Sequence, residues 1–289
     1  MNPKVKSFYH QDTFTWTHVV SCPKTGITAI IDPVLDYNAR NANTSTDSID
    51  AILNYIKQNN LSLEYVLETH AHADHITSAA YIVQQLKVKV AIGKQIQSVQ
   101  ETFKGIFNLG DSFKTDGSQF NQLLNGGDEV IVGELNIKVM HTPGHTNDSM
   151  TFICADCVFI GDTLFSPDYG SARCDFPGGD AKKLFDSIQK IYALGKNKKL
   201  YLCHDYPPKN RKPLAWFLSS VQQTENIHIN HSVTKEDFVR MREKRDAHLN
   251  QPKLIIPSIQ VNIRAGKFPT PEQNGQIYLK IPLNVLTKS

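Results

Sequence analysis

Glu68-Thr69-His70-Ala71-His72-Ala73-Asp74-His75-Ile76-Thr77 is the stretch on which the reading of this chain turns. Four potential metal ligands, His70, His72, Asp74 and His75, fall within six residues. At this chain's own His and Asp frequencies, an H-x-H-x-D-H run arises in roughly one such sequence in a thousand. Neutral imidazole and carboxylate are donors that zinc and non-haem iron accept. The run follows a predicted strand, Leu63 to Leu67, and precedes a predicted helix with Ile76, Ala79, Ala80 and Val83 on one face. A loop at a strand end lets such side chains converge, where an extended strand would alternate them. A polar loop capping the next helix would account for Asp74 but not for three histidines.

Outward from this run, strand and helix patterns alternate. Upstream, Phe14, Trp16 and His18 alternate with Thr and Val up to Val20, and Thr28 to Ile31 is a second β-rich stretch ending at an Asp32-Pro33 turn. Ile49, Ile52, Leu53 and Ile56 have helical spacing. Val88 to Ile92 reads as a strand, 94–108 as an amphipathic helix, and the Gly-, Asp- and Ser-rich 109–127 as loop. Consecutive strands at Glu129–Val132, Leu135–Met140, Met150–Cys154 and Val158–Ile160 make the sheet mixed. A helix from about Asp180, with Leu184, Ile188, Ile191 and Tyr192 inward, stops at Gly195 and leads to a short strand, Lys199–Cys203. Thr234 opens a charged helix to about Leu249, and a Pro-rich tail runs to Ser289.

Three further motifs sit at strand ends. In Thr142-Pro143-Gly144-His145-Thr146, Pro and Gly fix a sharp turn that aims His145 inward. Gly161-Asp162-Thr163 places a carboxylate where it can complete or bridge a metal site, and His204 closes the strand Lys199–Cys203. Each alone is an ordinary turn; together they reinforce one another. Ligands spread from His70 to His204 need one fold to unite them, which makes residues 1–230 a single catalytic domain. Residues 231–289, fewer than a typical domain needs, are a helix and tail packed on it.

The order H-x-H-x-D-H, Pro-Gly-His, Gly-Asp-Thr and a late strand-end His resembles the metallo-β-lactamase superfamily over roughly residues 12–206. The resemblance implies an α/β fold, an αββα sandwich of two mixed β-sheets flanked by helices, with the metal site at one sheet edge. It implies His70, His72 and His145 as one site, Asp74, His75 and His204 as another, and Asp162 between them.

Within the superfamily, Gly161 to Phe165, Tyr169 to Asp180, Cys203-His204-Asp205-Tyr206 and Gln260 to Gly266 resemble the persulfide dioxygenase branch, in its bacterial β-lactamase-like hydrolase form. Glyoxalase II enzymes share the metal motifs but differ at the Arg-x-Asp-Phe element, Arg173 to Phe176 here. Asn147-Asp148 departs from the Pro-Gly that many members carry after Pro-Gly-His-Thr. The resemblance implies one Fe(II) per subunit on His70, His145 and Asp162, a facial triad that leaves three positions for substrate, O₂ or water. His72, Asp74, His75 and His204 would then orient the ligands from outside, unless one or two zinc ions take iron's place. The implied reaction oxidises glutathione persulfide, or a related small persulfide, with O₂ to sulfite and free thiol. Arg173, Asp175, Tyr206 and Arg264 are the substrate-binding candidates, because such a persulfide carries carboxylates and an amine that call for a cationic fork and a nearby acid. The alternative on the same ligands is a dinuclear, glyoxalase II-like thioesterase.

Composition narrows the remaining classes. The 289 residues suffice for a sizeable core without a structural metal, which points any metal toward chemistry. A net charge of +3, spread along the chain, speaks against a nucleic-acid binder. No 18-residue apolar run appears, and the first ten residues lack the pattern of a secretory signal. Five cysteines form an odd, widely spaced set that fits reduced thiols in the cytoplasm, and Cys154-Ala155-Asp156-Cys157 reads as structural. Symmetry statistics alone favour a homodimer as the assembly.

Overall fold

The computed structural model describes residues 1–286; the last three residues of the tail, Thr287 to Ser289, lie outside the described residues. The first half of the chain runs β1 (Lys4–His10), β2 (Thr15–Ser21), β3 (Ile27–Ile31), β4 (Val34–Asn38), β5 (Asn43–Ser45), α1 (Asp47–Gln58), β6 (Ser62–Leu67), β7 (Ile76–Thr77), α2 (Ala79–Gln85), β8 (Lys89–Gly93), α3 (Ile96–Phe107) and β9 (Gln122–Leu124). The second half runs β10 (Glu129–Val132), β11 (Leu135–His141), β12 (Met150–Cys154), β13 (Cys157–Phe159), α4 (Ala181–Tyr192), β14 (Lys199–Tyr201), β15 (Trp216–Leu218), α5 (Ser219–Glu225), α6 (Lys235–Asp246) and α7 (Ile255–Asn262).

Two six-stranded sheets result, in the orders β1-β2-β3-β6-β8-β9 and β10-β11-β12-β13-β14-β15. Both are mixed: β3, β6, β8 and β9 pair in parallel in the first, and β13 with β14 in the second. Because successive strand residues face opposite ways, each central strand feeds two cores. Val19, Ile30 and Val66 face the helices α1, α2 and α3, while Val20, Ile31 and Leu67 face the other sheet. On the second sheet Phe159 joins the core between sheets, and Val158 meets Leu184, Ile188 and Ile191 of α4. The layers are therefore α, β, β, α, as the sequence resemblance implies. No helix among the described residues is long and apolar enough to cross a membrane.

The structure differs from the sequence reading at short or peripheral elements. Strands β1, β4, β5, β7, β9 and β15 are edge or satellite strands whose pairing partners decide them. Ile76 belongs to β7, paired with Leu35, and not to the helix that follows. The C-terminal tail holds α7, whose Ile255, Ile259 and Val261 are buried, so this part of the tail is a helix of the first layer. All five cysteines are free, and Cys154 and Cys157 face each other across the β12–β13 hairpin.

One buried titratable group outside the site makes stability depend on pH. His18 on β2 is enclosed, with Nε2 2.9 Å from the Leu202 carbonyl and Nδ1 2.9 Å from Ser7 Oγ. Burial pushes its pKa down from 6.5 to about 4. The folded state thus binds fewer protons than the unfolded state between those values. The stabilisation is complete above pH 6.5 and is lost as pH falls toward 4, by about 3 kcal/mol. Urea unfolding at pH 7 and pH 4.5 should show a smaller loss for His18→Gln than for the parent chain. Equal losses would remove His18 as the cause.

Candidate metal centre

The centre forms where strand ends of both sheets meet, and each ligand is aimed by a local device. Beyond β3, Asp32 takes a left-handed φ of 50° and turns its buried carboxylate under the loop after β6. There it accepts Thr69 N–H at 2.7 Å, Thr69 Oγ1–H at 2.9 Å and His72 Nε2–H at 3.0 Å. Asp148 Oδ2 accepts the Ala71 N–H from the opposite side at 2.8 Å. Asp148 is half of the Asn147-Asp148 departure in the sequence, and its buried carboxylate serves as an anchor for the loop. His145 stands after the Pro143-Gly144 turn, with Nδ1 on the Arg173 carbonyl at 2.8 Å, which leaves Nε2 facing the centre. Gly161 brings Asp162 in beside Thr69, since a Cβ there would lie 2.8 Å from Thr69 Oγ1. His204 Nδ1 meets the Thr13 carbonyl at 3.2 Å and Thr15 Oγ1 at 3.3 Å, so Nε2 points inward.

Two groups of donors result. His70 Nε2 and His145 Nε2 lie 3.8 and 3.7 Å from one oxygen of Asp162, Oδ2. His72, Asp74, His75 and His204 form the second group, with His204 Nε2 3.2 Å from Asp74 Oδ2 and His75 Nδ1 3.4 Å from Asp74 Oδ1. The other oxygen of Asp162, Oδ1, faces His204 Nε2 at 3.6 Å. Within each group the ligand atoms lie within 4.8 Å of one another.

The donor set fits a metal. His70 Nε2, His72 Nδ1, both His75 nitrogens, Asp162 Oδ1 and His204 Nε2 are buried without a hydrogen-bond partner. Burying such atoms unpaired is costly, and one cation satisfies several at once. Burial, reinforced by His72 and His145, holds His70 well below the ordinary imidazole value, so it offers a free lone pair. Burial opposes charge on His72, yet Asp32 and Glu68 hold it well above that value. This is the carboxylate–histidine pairing that orients metal-ligating imidazoles and raises their basicity. Burial pushes Asp162 up, with only partial relief from His204, as suits a carboxylate awaiting a cation. Cys203 lies beside Asp162 and His204, but burial followed by Asp32 and Asp162 pushes its thiol well up and keeps it protonated.

The sequence profile of the Metallo-beta-lactamase superfamily matches residues 12–204, a span that contains every residue of both groups. The chain belongs to this superfamily. Over 99% of its length it is 47% identical to a Beta-lactamase hydrolase-like protein of Agrobacterium fabrum, of which it spans 66%. It is 46% identical to Glyoxylase B2 of Dictyostelium discoideum, covering 98% of each. The human Persulfide dioxygenase ETHE1 is 26% identical over 91% of this chain and 88% of that one. The crystal structure of ETHE1 from Myxococcus xanthus superposes with a TM-score of 0.73 at 28% identity, covering 91% of this chain and all of that one.

This member of the superfamily opens its centre to a cavity of about 1130 Å³, onto which Asp74, His145 and Asp162 face. Tyr206 and Arg173, two of the substrate candidates from sequence, line it. Tyr206 lies parallel to His204 at 5.8 Å and packs on Tyr169 at 4.6 Å. Arg173 is already committed: Asp175 holds it at 2.5 and 2.7 Å, so Asp175 orients the arginine and does not itself line the cavity. Arg264, a substrate candidate from sequence, does not line the cavity. It stacks on Phe113 at 4.5 Å and donates to the Gln260 carbonyl at 2.7 Å. The cavity is lined instead by Arg245 and Lys253, which make no ion pair among the described residues, and also by Asp12, Asp36, Arg40 and Asp47. For Arg245 the density of charge on α6 is a signal in the sequence; Lys253 lies beyond that helix and carries none.

Proposed function

We propose that this protein is a persulfide dioxygenase that converts a small thiol persulfide, O₂ and water to free thiol, sulfite and two protons. The observation that carries the reading is the split of the ligand set. His70, His145 and one oxygen of Asp162 make a two-histidine, one-carboxylate group bordering the cavity, and Asp74 pairs the second group internally. One Fe(II) held by His70, His145 and Asp162 would supply the redox chemistry that joins dioxygen to sulfur. The chain's own residues do the rest. Arg173 O holds the proton on His145 Nδ1. Phe165, Tyr169 and Tyr206 pack edge and face beside His204 and dry that wall of the cavity. Arg245 and Lys253 offer unpaired cations to carboxylates, and Asp12 and Asp47, which also line the cavity, offer anions to an ammonium group. A lining that carries both signs of charge suits a zwitterionic, amino-acid-derived carrier such as glutathione.

A second reading, a dinuclear hydrolase acting on thioesters, has its own support. The two oxygens of Asp162 face the two groups separately, the arrangement of a bridging carboxylate. Iron-loaded protein with glutathione persulfide should consume O₂ and release sulfite in equal amounts. No oxygen uptake by an iron-loaded sample, with hydrolysis of S-lactoylglutathione instead, would sink the first reading and favour the second. Arg245→Ala with Lys253→Ala should raise KM for glutathione persulfide roughly tenfold at unchanged kcat. KM for a carrier without carboxylates, cysteamine persulfide, should not move. A uniform change for both carriers would remove the two cations from substrate binding.

A further inference from the structure

The segment that holds the metal loop from below comes from the far end of the chain. Asn262 closes α7 and is 3% exposed. Its Nδ2 donates to the His72 carbonyl and to the His75 carbonyl, each at 2.8 Å. Its Oδ1 accepts the Thr77 N–H at 2.9 Å. A loop that turns its imidazoles inward turns peptide groups away from the centre, where they need partners of their own. One amide here serves three of them, and two belong to His72 and His75 of the second group of donors.

The helix carrying this amide is itself fixed. Gln100 of α3 donates to the Ile263 carbonyl at 2.9 Å, just beyond Asn262. Gly266 has φ 81°, and a Cβ there would lie 2.9 Å from Ala80 N and 3.1 Å from the Thr77 carbonyl. The turn after α7 is therefore seated directly against the start of α2. We infer that Asn262 is a positioning residue of the metal centre, setting where His72 and His75 stand through their backbone carbonyls. It acts on the second group of donors and leaves His145 and Asp162 to their own turns. The inference rests on reading the clustered donors as a metal centre and is independent of which reaction that centre performs.

Co(II) titration followed by ligand-field absorption tests it without any turnover. Asn262→Ala should weaken Co(II) affinity roughly ten- to hundredfold and shift the absorption bands, with far-UV circular dichroism unchanged. Asn262→Asp keeps the shape but sets a carboxylate against two carbonyls, and should weaken binding at least as much. Combined with His75→Ala, either change should add little, because both act on one group. In the unaltered chain, Co(II) loading should slow hydrogen exchange at the Thr77 amide. Folded variants with parent-like affinity and bands would overturn the assignment. So would a Thr77 amide indifferent to metal, a readout that stands even if the variants fail to fold.

Discussion

Asp162→Ala is expected to strip the centre of metal and to lower metal-dependent turnover by roughly a thousandfold or more. The carboxylate is shared: Oδ2 serves His70 and His145, and Oδ1 faces His204. Its removal leaves His70 Nε2 buried among other imidazoles without the carboxylate that it shares with His145. Asp74→Ala is the informative comparison. Asp74 lies within ion-pair distance of His75 and His204, and of neither His70 nor His145. With one iron on His70, His145 and Asp162, the Asp74 variant should keep one metal per chain and lose about ten- to hundredfold in turnover, as expected for a supporting residue. A dinuclear hydrolase would lose its second ion and nearly all activity in either variant. Elemental analysis beside oxygen uptake separates the outcomes. Full metal content in Asp162→Ala, with turnover within tenfold of the parent, would show that the centre lies elsewhere.

Why the ligands were legible and their supports were not follows from distance along the chain. His70, His72, Asp74 and His75 are neighbours in sequence, and a strand-end loop needs no distant partner to make them converge. The core strands were equally plain, since Val19-Val20, Ile30-Ile31 and Val66-Leu67 each fill both faces. Asp32 and Asp148 carry no comparable signal. A lone carboxylate reads as surface until the fold buries it beneath a loop 37 or 77 residues away. The tail shows the same limit from the other side. The family resemblance of Gln260 to Gly266 marks this segment, but not which residue in it faces the centre. Asn262 turns to His72 and His75, and Arg264, two residues on, turns away to Phe113. Pro257 within α7 also breaks the apolar pattern that would have marked the segment as a helix.

Gly144→Ala should be the most damaging single methyl addition in the Pro-Gly-His turn, at roughly 4 kcal/mol or more. Two causes act together. Gly144 has φ 141°, a conformation that an L side chain adopts only under strain. A Cβ there would lie 2.3 Å from both Leu184 N and Leu184 Cα, which are backbone atoms of α4 and cannot yield by a rotamer change. The turn and the helix are also stitched together, by Asp180 N–H on the Gly144 carbonyl at 2.8 Å and Ser187 Oγ–H on the Pro143 carbonyl at 2.7 Å. Relief of the clash must push α4 off the second sheet or swing His145 away from Asp162. Gly195→Ala separates the two causes, because Gly195 also has positive φ, 123°, but nothing lies within 4 Å of its added Cβ. That variant should cost only the backbone strain, roughly 1–2 kcal/mol. Chemical denaturation of both proteins, with Co(II) binding of whatever remains folded, measures the difference. If Gly144→Ala proves no less stable than Gly195→Ala, the close approach of turn and helix is not what places His145.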